Sequence, residues 1–356
     1  MNYVYKETEL HNLKGEEKEA YIDFAKLIHD TYFFKEISRS REHIAKEMDT
    51  RSPKTRYENR ILVWDKNKVI GKAEFMYSRG EQETNSDMCE IFMEIHPNYT
   101  KQGVATEMMR KLVDMADTHR KTKLEMWANN YTLDGVVPQI IQKIGLKPAL
   151  EEKLNRLMRS NINYDFLNQK LPLLQEKLKG YTLLKLTRHE YQSKLLNDEA
   201  FRTEMADFTT EVMALIPKED SDRHIEIYTS QDMLEKATTA ISRPYDGNMF
   251  ILFDKNTIMG YSETFYPKGD IRSVNTGLTG VRKRYQRMGI ATFLKLLMVK
   301  HYLDSEEFQQ LDTENNQANV GMIKINEDIG FRHALTWICH EGSLESVRNY
   351  LQSKPN

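Results

Sequence analysis

The chain has 356 residues, of which 40% are hydrophobic and 10% aromatic, enough to build more than one hydrophobic core. This composition excludes a disordered or low-complexity protein. The 51 Lys and Arg residues nearly balance the 53 Asp and Glu residues, and the net charge of -2 argues against a dedicated nucleic-acid coat protein. Cys89 and Cys339 are the only cysteines, which excludes a disulfide framework and a cysteine-rich zinc module.

The sequence also lacks the usual signals for membrane insertion and metal binding. Its first residues do not have the basic and then apolar layout of a signal peptide. The best apolar run, Phe293–Leu303, is broken by Lys295 and Lys300 and is shorter than the about 20 residues that span a bilayer. The ten His residues show no metal-ligand spacing. We therefore expect a cytoplasmic protein with no membrane partner and no metal.

Three glycine landmarks show that the chain contains an internal repeat. In the first half they are Gly71, Gly103 and Gly145, and in the second half Gly260, Gly289 and Gly330. They keep the same order at a nearly constant offset of 185 to 189 residues. One supersecondary plan used twice explains this arrangement best.

The pattern of each repeat predicts the same order of elements: helices, a strand hairpin, a further strand, a glycine-bearing turn, an amphipathic helix, a strand, a helix and a final strand. This alternation predicts a mixed α/β (α+β) fold, in which each of two units has a mixed central sheet flanked by helices. We expect the first unit at 1–160, a charged helical linker at 161–179 and the second unit at 180–356. Two such units are expected to pack as a pseudo-twofold pair.

The turn of the second repeat has the features of an anion site. A predicted strand, Arg272–Val281, leads into a basic turn, and a helical stripe of apolar residues starts at Ile290. Backbone N–H groups at a helix N-terminus attract anions, and Gly289 leaves the backbone accessible. The basic side chains of the turn are Arg282, Lys283, Arg284 and Arg287. A solvated loop or a weak nucleic-acid patch is the alternative for such a cluster.

Two motifs make the chain resemble the GNAT acetyltransferase superfamily. Gln286–Ala291 fits the signature Q/R-x-x-G-x-G/A, and Asp312–Phe331 resembles the family's second motif, a strand, an Asn-bearing helix and a terminal Gly-Phe pair. The motifs occur in order, and the first repeat has a similar turn at Thr100–Thr106. The whole chain therefore resembles a tandem GNAT protein.

The resemblance implies acetyl-CoA as co-substrate, with its diphosphate on the turn and its pantetheine arm beside the strand that ends at Val281. The implied contacts in the second unit are Val281, Arg282, Lys283, Gln286, Arg287, Met288, Gly289, Ile290, Ala291, Thr292 and Asn319. A weaker second site is implied at Ile95, His96, Pro97, Gln102, Gly103, Val104, Ala105 and Thr106. A helix-cap role is the alternative for Asn319.

The first unit departs further from the family pattern than the second. It has Thr100 in place of Gln or Arg, Asp134 in place of Asn319 and Leu146 in place of Phe331. We therefore expect catalysis in the second unit. The first unit is then left to bind acetyl-CoA unproductively, to form part of the acceptor pocket or to support the fold.

Glu263 is the candidate general base, and Glu74 is its repeat partner. A carboxylate accepts the proton of an amine, and desolvation would raise the pKa of a Glu that faces the interior. Exposure to solvent or pairing with a Lys is the alternative. The family's usual Tyr acid is replaced by Asn326 and Ile141, neither of which can donate a proton as a phenol would. Tyr302, water or unassisted departure of the thiolate remain as possibilities.

The sequence thus predicts an acetyl-CoA-dependent N-acetyltransferase acting on the amine of a small molecule, with no nucleic-acid partner. The alternative is a non-catalytic acyl-CoA-binding or regulatory protein, which the missing Tyr favours. An aminoacyl-tRNA-dependent transferase is a third possibility. The near-neutral net charge of the chain and the well-formed turn at Gln286–Ala291 argue against it.

Overall fold

The computed structural model describes residues 3–32, 39–49, 56–78, 87–129, 136–217, 227–240 and 243–353. Asp134, the counterpart of Asn319 in the sequence, lies outside these residues. The described chain divides into two compact units. Unit 1 comprises residues up to 151 and again from 336 onward, and unit 2 comprises 152–217 and 227–335.

The first half of the chain supplies most of unit 1. In chain order its elements are β1 (Val4–Glu7), α1 (Gly15–Tyr32), α2 (Arg41–Met48), β2 (Arg56–Asp65), β3 (Lys68–Ser78), β4 (Met88–Ile95), α3 (Val104–Thr118), β5 (Lys123–Asn129) and α4 (Val136–Lys143). The predicted order of hairpin, strand, turn and helix is confirmed here.

The remainder of the chain forms unit 2 and then returns to unit 1. The elements are β6 (Lys147–Met158), α5 (Tyr164–Lys177), β7 (Thr182–Thr187), α6 (Arg188–Asn197), α7 (Glu199–Met213), α8 (Ser230–Ala240), β8 (Tyr245–Asp246), β9 (Asn248–Asp254), β10 (Thr257–Pro267), β11 (Ser273–Val281), α9 (Ile290–Leu303), β12 (Gln310–Asn316), α10 (Val320–Ile329), β13 (Arg332–Ser343) and α11 (Leu344–Gln352).

Within each unit the strands pair in a mixed, parallel and antiparallel, arrangement, as the sequence predicts. In unit 1 the strand order is β1-β2-β3-β4-β5-β13, and in unit 2 it is β6-β12-β11-β10-β9-β7, with β8 beside β10. Only the β4–β5 and β11–β12 pairs are parallel among these neighbours. The long crossover from β4 to β5 carries α3, and that from β11 to β12 carries α9, as parallel neighbours require.

The last strand of each repeat joins the sheet of the other unit, which differs from the division expected from the sequence. Strand β6 pairs antiparallel with β12, and β13 pairs antiparallel with β5. A bidentate ion pair between Arg156 and Asp312, at 2.8 and 2.9 Å, holds β6 in the sheet of unit 2. The order of elements in the sequence does not show which sheet edge a terminal strand will join.

The expected linker at 161–179 is occupied by α5, and this helix belongs to the core of unit 2. Its apolar face packs against α9 and contributes Leu167, Leu171 and Leu174, followed by Leu178. The other face of the same sheet is covered by α6, α7 and α8. In unit 1, α3 and α11 cover one face of the sheet and α1 and α2 the other. No helix of the described residues is long and apolar enough to cross a membrane.

Candidate functional site

Strands β11 and β12 separate halfway along their length and open a V-shaped gap in the sheet of unit 2. Their parallel pairing ends at Thr276 and Thr313, so Gly277–Val281 has no partner on β12. On the other side of β11, the register with β10 shifts between Ser262 and Thr264. This shift is a β-bulge, which bends a strand and ends regular pairing. We call the opening between Gly277–Val281 and the end of β12 the strand gap.

Glu263 lies at this bulge and is held by two uncharged donors. Its Oε1 accepts from the backbone N–H of Leu278 at 3.2 Å, and its Oε2 accepts from the hydroxyl of Tyr261 at 2.8 Å. Burial, followed by the charge of Glu263, raises the pKa of Tyr261 well above its usual value, so the phenol keeps its proton and donates. Glu263 itself is half-buried.

Gly277 makes room for this arrangement, although the sequence analysis did not single it out. A Cβ atom at Gly277 would lie 2.5 Å from Oε1 of Glu263. A glycine inside a strand often marks a bulge or a close approach, and this signal was present in the sequence. Tyr261 was also missed, because a tyrosine in a strand does not by itself indicate a partner.

The equivalent carboxylate of unit 1 has a different environment. Glu74 forms ion pairs with Arg60 at 2.7 Å and with Lys72 at 3.4 Å. Burial alone would raise the pKa of Glu74, but the two cations lower it below its usual value. The pairing of β3 with β4 is regular between Gly71 and Met76, with no bulge. A base function is therefore disfavoured at Glu74, whereas Glu263 has no cation among the partners described above.

The predicted glycine turn connects β11 to α9. Gly289 is the N-cap of α9 with φ of 88°, and Arg287 also has a positive φ of 63°. The N–H groups of the first helical turn have no acceptor within the helix, and the helix dipole favours an anion there. The structure thus places the predicted residues Gln286 to Gly289 in the turn and Ile290 to Thr292 in the first turn of α9, at the open end of the strand gap.

Arg282 does not point its charge at this turn, which corrects the expectation that it adds to the positive cluster. Its side chain is 9% exposed and forms ion pairs with Glu204 at 2.8 Å and Glu211 at 2.6 Å on α7. Its Nε donates to the carbonyl of Ile258 at 2.9 Å. Glu211 also accepts from the backbone N–H of Lys283 at 2.9 Å. The side chain of Arg282 therefore ties β11 to α7.

The remaining basic side chains of the turn reach solvent. Lys283, Arg284 and Arg287 are exposed, as is Gln286. The guanidinium of Arg284 lies over the ring of Tyr285, 4.7 Å from its centroid. These three cations are available to a phosphate that occupies the turn. Val281, Met288, Ile290, Ala291 and Thr292 contribute backbone or apolar surface.

Helix α5 covers one side of the turn in unit 2. A Cβ atom at Gly289 would lie 2.7 Å from Cδ2 of Leu174. In unit 1, Gly103 has the same role as N-cap of α3, with φ of 83°, but no side chain of the described residues outside its immediate neighbours lies within 4 Å of its Cβ position. The sequence gave no indication of Leu174, because it lies in the segment expected to be a linker.

The predicted weaker site forms a similar turn in unit 1. The parallel pairing of β4 and β5 stops at Ile91 and Met126, so Ile95 lies where β4 has no partner on β5. His96 and Pro97 begin the turn, and Gln102 lies between them and the helix. The helix then starts with Val104, Ala105 and Thr106. A cavity of about 690 Å³ lies beside His96, between α1 and the β2–β3 turn.

Asn319 is the N-cap of α10, in agreement with the alternative given for it. Its Oδ1 accepts from the backbone N–H of Met322 at 3.2 Å, which leaves the amide nitrogen for a ligand. Asn326, at the position of the missing Tyr, is buried and donates to Oδ1 of Asn315 at 2.6 Å. Ile141 is buried in the core of unit 1.

Tyr302 is not placed to serve as the acid. Its hydroxyl is 2.5 Å from Oγ1 of Thr264 and accepts from Asn248 at 3.1 Å, inside the core. It lies near the C-terminal end of α9, about 20 Å along the helix from the turn. Burial raises the pKa of Tyr302 to about 12. The structure therefore removes the phenol that the sequence left as an alternative.

Comparison with known proteins relates part of the chain to one family by sequence and the whole chain to solved structures by fold. Residues 22–134 match the model of the acetyltransferase (GNAT) family. A tandem GNAT protein from the clavulanic acid biosynthesis pathway superposes with a TM-score of 0.74 at 14% identity, covering 96% of this chain and 99% of that chain.

Two further solved structures share the fold. A GCN5-related N-acetyltransferase from Sphaerobacter thermophilus superposes with a TM-score of 0.62 at 10% identity and 96% coverage of both chains. A putative acetyltransferase from Pyrococcus horikoshii gives a TM-score of 0.51 at 9% identity, covering 96% of this chain and 89% of that one. No curated protein sequence matches the chain significantly.

Proposed function

We propose that the protein is an acetyl-CoA-dependent N-acetyltransferase whose working site lies in unit 2. The premises are the match of residues 22–134 to the acetyltransferase (GNAT) family and the tandem GNAT fold of the whole chain. The proposed acceptor is a small molecule with a primary amine. Acetyl-CoA is the proposed acyl donor, with its diphosphate on the turn from Arg287 to Thr292 and its pantetheine arm in the strand gap.

One observation supports the proposal most strongly: the glycine turn and the strand gap follow one another along β11, and Glu263 of the neighbouring strand β10 contacts β11 at Leu278. The turn is at one end of the unpaired segment Gly277–Val281, and Glu263 is bonded to Leu278 near the other end. The amide-containing pantetheine arm matches an unpaired strand edge, since it can use the free backbone groups. A ligand anchored at the turn would therefore bring its thioester towards Glu263.

The chemistry of the proposed reaction assigns a defined role to Glu263. The nitrogen of the acceptor forms a bond to the thioester carbonyl carbon, the C–S bond breaks, and CoA leaves with its sulfur. Glu263 accepts the proton that the attacking nitrogen loses. The partners of its oxygens described above, Tyr261 and the N–H of Leu278, are uncharged, so neither forms an ion pair that would compete with this proton.

Helices α6, α7 and α8 are the proposed source of acceptor specificity. Tyr191 of α6 lies 6.0 Å from Tyr261, ring centroid to ring centroid, on the side of the sheet that carries the Glu263 contact. Burial raises the pKa of Tyr191, and the charge of Glu263 raises it further, so this phenol also remains neutral. An amine that enters from this side meets aromatic and hydroxyl groups next to the carboxylate.

The proposal is tested first by calorimetric titration of acetyl-CoA into the wild type and two charge-reversal variants. Arg287→Glu places a negative charge on the turn of unit 2, and Lys101→Glu is its matched counterpart in unit 1, since both residues have positive φ. We expect Arg287→Glu to weaken binding about tenfold, as loss of a charge-assisted contact does. The number of acetyl-CoA molecules bound per chain, compared between the wild type and Lys101→Glu, shows whether unit 1 also binds acetyl-CoA. Absence of binding to the folded wild type would reject the proposal.

A panel of small primary amines, assayed by release of the CoA thiol, then tests turnover. A non-catalytic acyl-CoA-binding role is the second candidate, and the buried Asn326 and Ile141 at the positions of the family's Tyr favour it. Tight acetyl-CoA binding without turnover of any amine in the panel would support that second candidate.

A further inference from the structure

Lys295 is a buried amine with no role in the acetyl transfer proposed above. It lies on α9 with no exposed surface. Its Nζ is 3.4 Å from Oγ1 of Thr313 and 5.3 Å from the ring centroid of Phe331. Lysine is almost never fully buried unless it is paired with an acid. Among the described residues, no charged group contributes to its pKa, which burial alone lowers to about 7.

Lys295 lies at the closed end of the strand gap, where β11 and β12 are still paired. Thr313 is the last residue of β12 that pairs with β11, through Thr276. The hydroxyl of Thr276 is 4.0 Å from the sulfur of Met298, which lies about one turn after Lys295 on the same helix. Helix α9 therefore crosses the last strand pair, and Lys295 lies where the two strands begin to part.

The amide and hydroxyl groups near Lys295 cannot supply a proton. Asn326 donates to Asn315, and its own Oδ1 is buried with no partner among the described residues. The hydroxyls of Thr276 and Thr313 do not ionise near neutral pH, and Phe331 is apolar. Apart from Glu263 and Tyr261, which meet at Leu278, Lys295 is therefore the titratable group among the side chains named at the closed end.

We propose that Lys295 is the proton donor to the departing CoA thiolate, an assignment that rests on the proposed acetyl transfer. When the C–S bond of the thioester breaks, its electron pair stays on sulfur. The Nζ ammonium transfers one proton to that sulfur, which yields the CoA thiol and a neutral amine. The proton of the acceptor nitrogen goes to Glu263, and water restores the proton of Lys295 after the products leave.

The environment of Lys295 suits this role. A pKa of about 7 leaves a substantial fraction of the amine protonated at neutral pH, and an acid with a pKa near the working pH is the most efficient donor. The groups that face it from β11, β12 and the segment after α10 are Thr276, Thr313 and Phe331, none of which titrates in this range. Unit 1 has the buried Met109 at the repeat position, so the amine is confined to the proposed catalytic unit.

The test compares the binding of CoA with that of desulfo-CoA, which lacks the sulfur. If Nζ contacts the sulfur, the wild type should bind CoA about tenfold more tightly than desulfo-CoA, the effect of one hydrogen bond to a charged group. Lys295→Met, which is close in size and apolar, should bind the two ligands equally. Lys300→Met, an exposed lysine on the same helix, is the control and should keep the difference.

The outcomes separate this assignment from the proposed function. If the wild type binds neither ligand, the proposed function and the role of Lys295 both fail. If the wild type binds CoA and Lys295→Met keeps the wild-type preference for CoA, the role of Lys295 alone is overturned. An acetyl group found on Lys295 by mass spectrometry after incubation with acetyl-CoA would also overturn it, because the residue would then be an acceptor.

Turnover gives a second readout once the amine panel identifies an acceptor. Lys295→Met should lower kcat about a hundredfold with little change in the KM for acetyl-CoA, the pattern expected for loss of a general acid. The basic limb of the wild-type kcat profile near pH 7 should disappear in this variant. An unchanged pH profile would contradict the assignment.

Discussion

At the scale of single residues, the two repeats show how the environment gives one residue type two different roles. Glu263 and Glu74 occupy the same repeat position, but Glu74 is neutralised by Arg60 and Lys72, whereas Glu263 accepts from a phenol and a backbone N–H. The sequence identified the pair from their spacing after Gly71 and Gly260. It did not indicate which of the two would be ion-paired, since Arg60 lies on a neighbouring strand.

The first prediction concerns the proposed base. Glu263→Gln keeps the size of the side chain and removes its ability to accept a proton, so kcat should fall by a factor of about 10² to 10⁴. The affinity for acetyl-CoA, measured by calorimetry, should change little because the turn is untouched. Glu327→Gln, an exposed carboxylate on α10, is the control. A Glu263→Gln variant with wild-type kcat would remove Glu263 from the mechanism.

The second prediction concerns the pH dependence of stability at Lys295. Its folded-state pKa of about 7 lies below the ordinary value of 10.5, so between these values the unfolded chain binds more protons and stability rises with pH. Lys295→Met removes the cost of burying the charge. The variant should therefore unfold at a higher temperature than the wild type, with the largest difference below pH 7.

Thermal unfolding at pH 6 and at pH 9 measures this effect. The gap between Lys295→Met and the wild type should narrow at pH 9, where the folded wild type already buries a neutral amine. A gap that is constant across this range would show that Lys295 does not titrate as described.

At the scale of elements, one irregular strand determines the geometry of the site. At the bulge, two residues of β11, Gly277 and Leu278, lie opposite the single residue Glu263 of β10. From Gly277 onward β11 is no longer paired with β12. The sequence predicted the strand, the turn and the helix that follows, because Gly289 and the apolar stripe have recognisable spacings. It did not predict the bulge or the direction of Arg282, since the side on which a residue lies after an irregularity depends on the register.

The third prediction addresses this bulge. Gly277→Ala places a methyl group 2.5 Å from Oε1 of Glu263, so the carboxylate must move. We expect kcat to fall at least about tenfold, since small misplacements of a catalytic group are costly, while acetyl-CoA binding is retained. Gly321→Ala on α10, where no described side chain other than its chain neighbours lies within 4 Å of the added Cβ, should leave kcat unchanged.

At the scale of the whole molecule, the first and the last parts of the described chain belong to the same unit. Unit 2 is drawn from the middle of the sequence, whereas unit 1 needs β13 and α11 from the end. The repeat was visible in the sequence because its landmarks keep their spacing. The exchange of the last strands was not visible in the sequence, because β6 and β13 have similar apolar patterns that are compatible with either set of partner strands.

The fourth prediction follows from this division. A chain truncated after Leu335 lacks the strand that pairs with β5 and the apolar face of α11, which contributes Leu344, Val347 and Leu351 to the core of unit 1. Calorimetric unfolding should show loss of the unit 1 transition while that of unit 2 remains. Removal of residues 354–356 alone is the control. Equal loss of both transitions would contradict the division.

The return of β13 to the first sheet has a consequence for synthesis on the ribosome. After β5 has been made, roughly two hundred more residues must be translated before its partner strand emerges, which takes on the order of 10 to 40 s. During that interval the nascent first unit presents an unpaired sheet edge, a known template for aggregation. The middle of the chain can finish folding earlier. A chaperone that shields exposed strand edges would therefore act on the oldest part of this polypeptide, the part synthesised first and completed last.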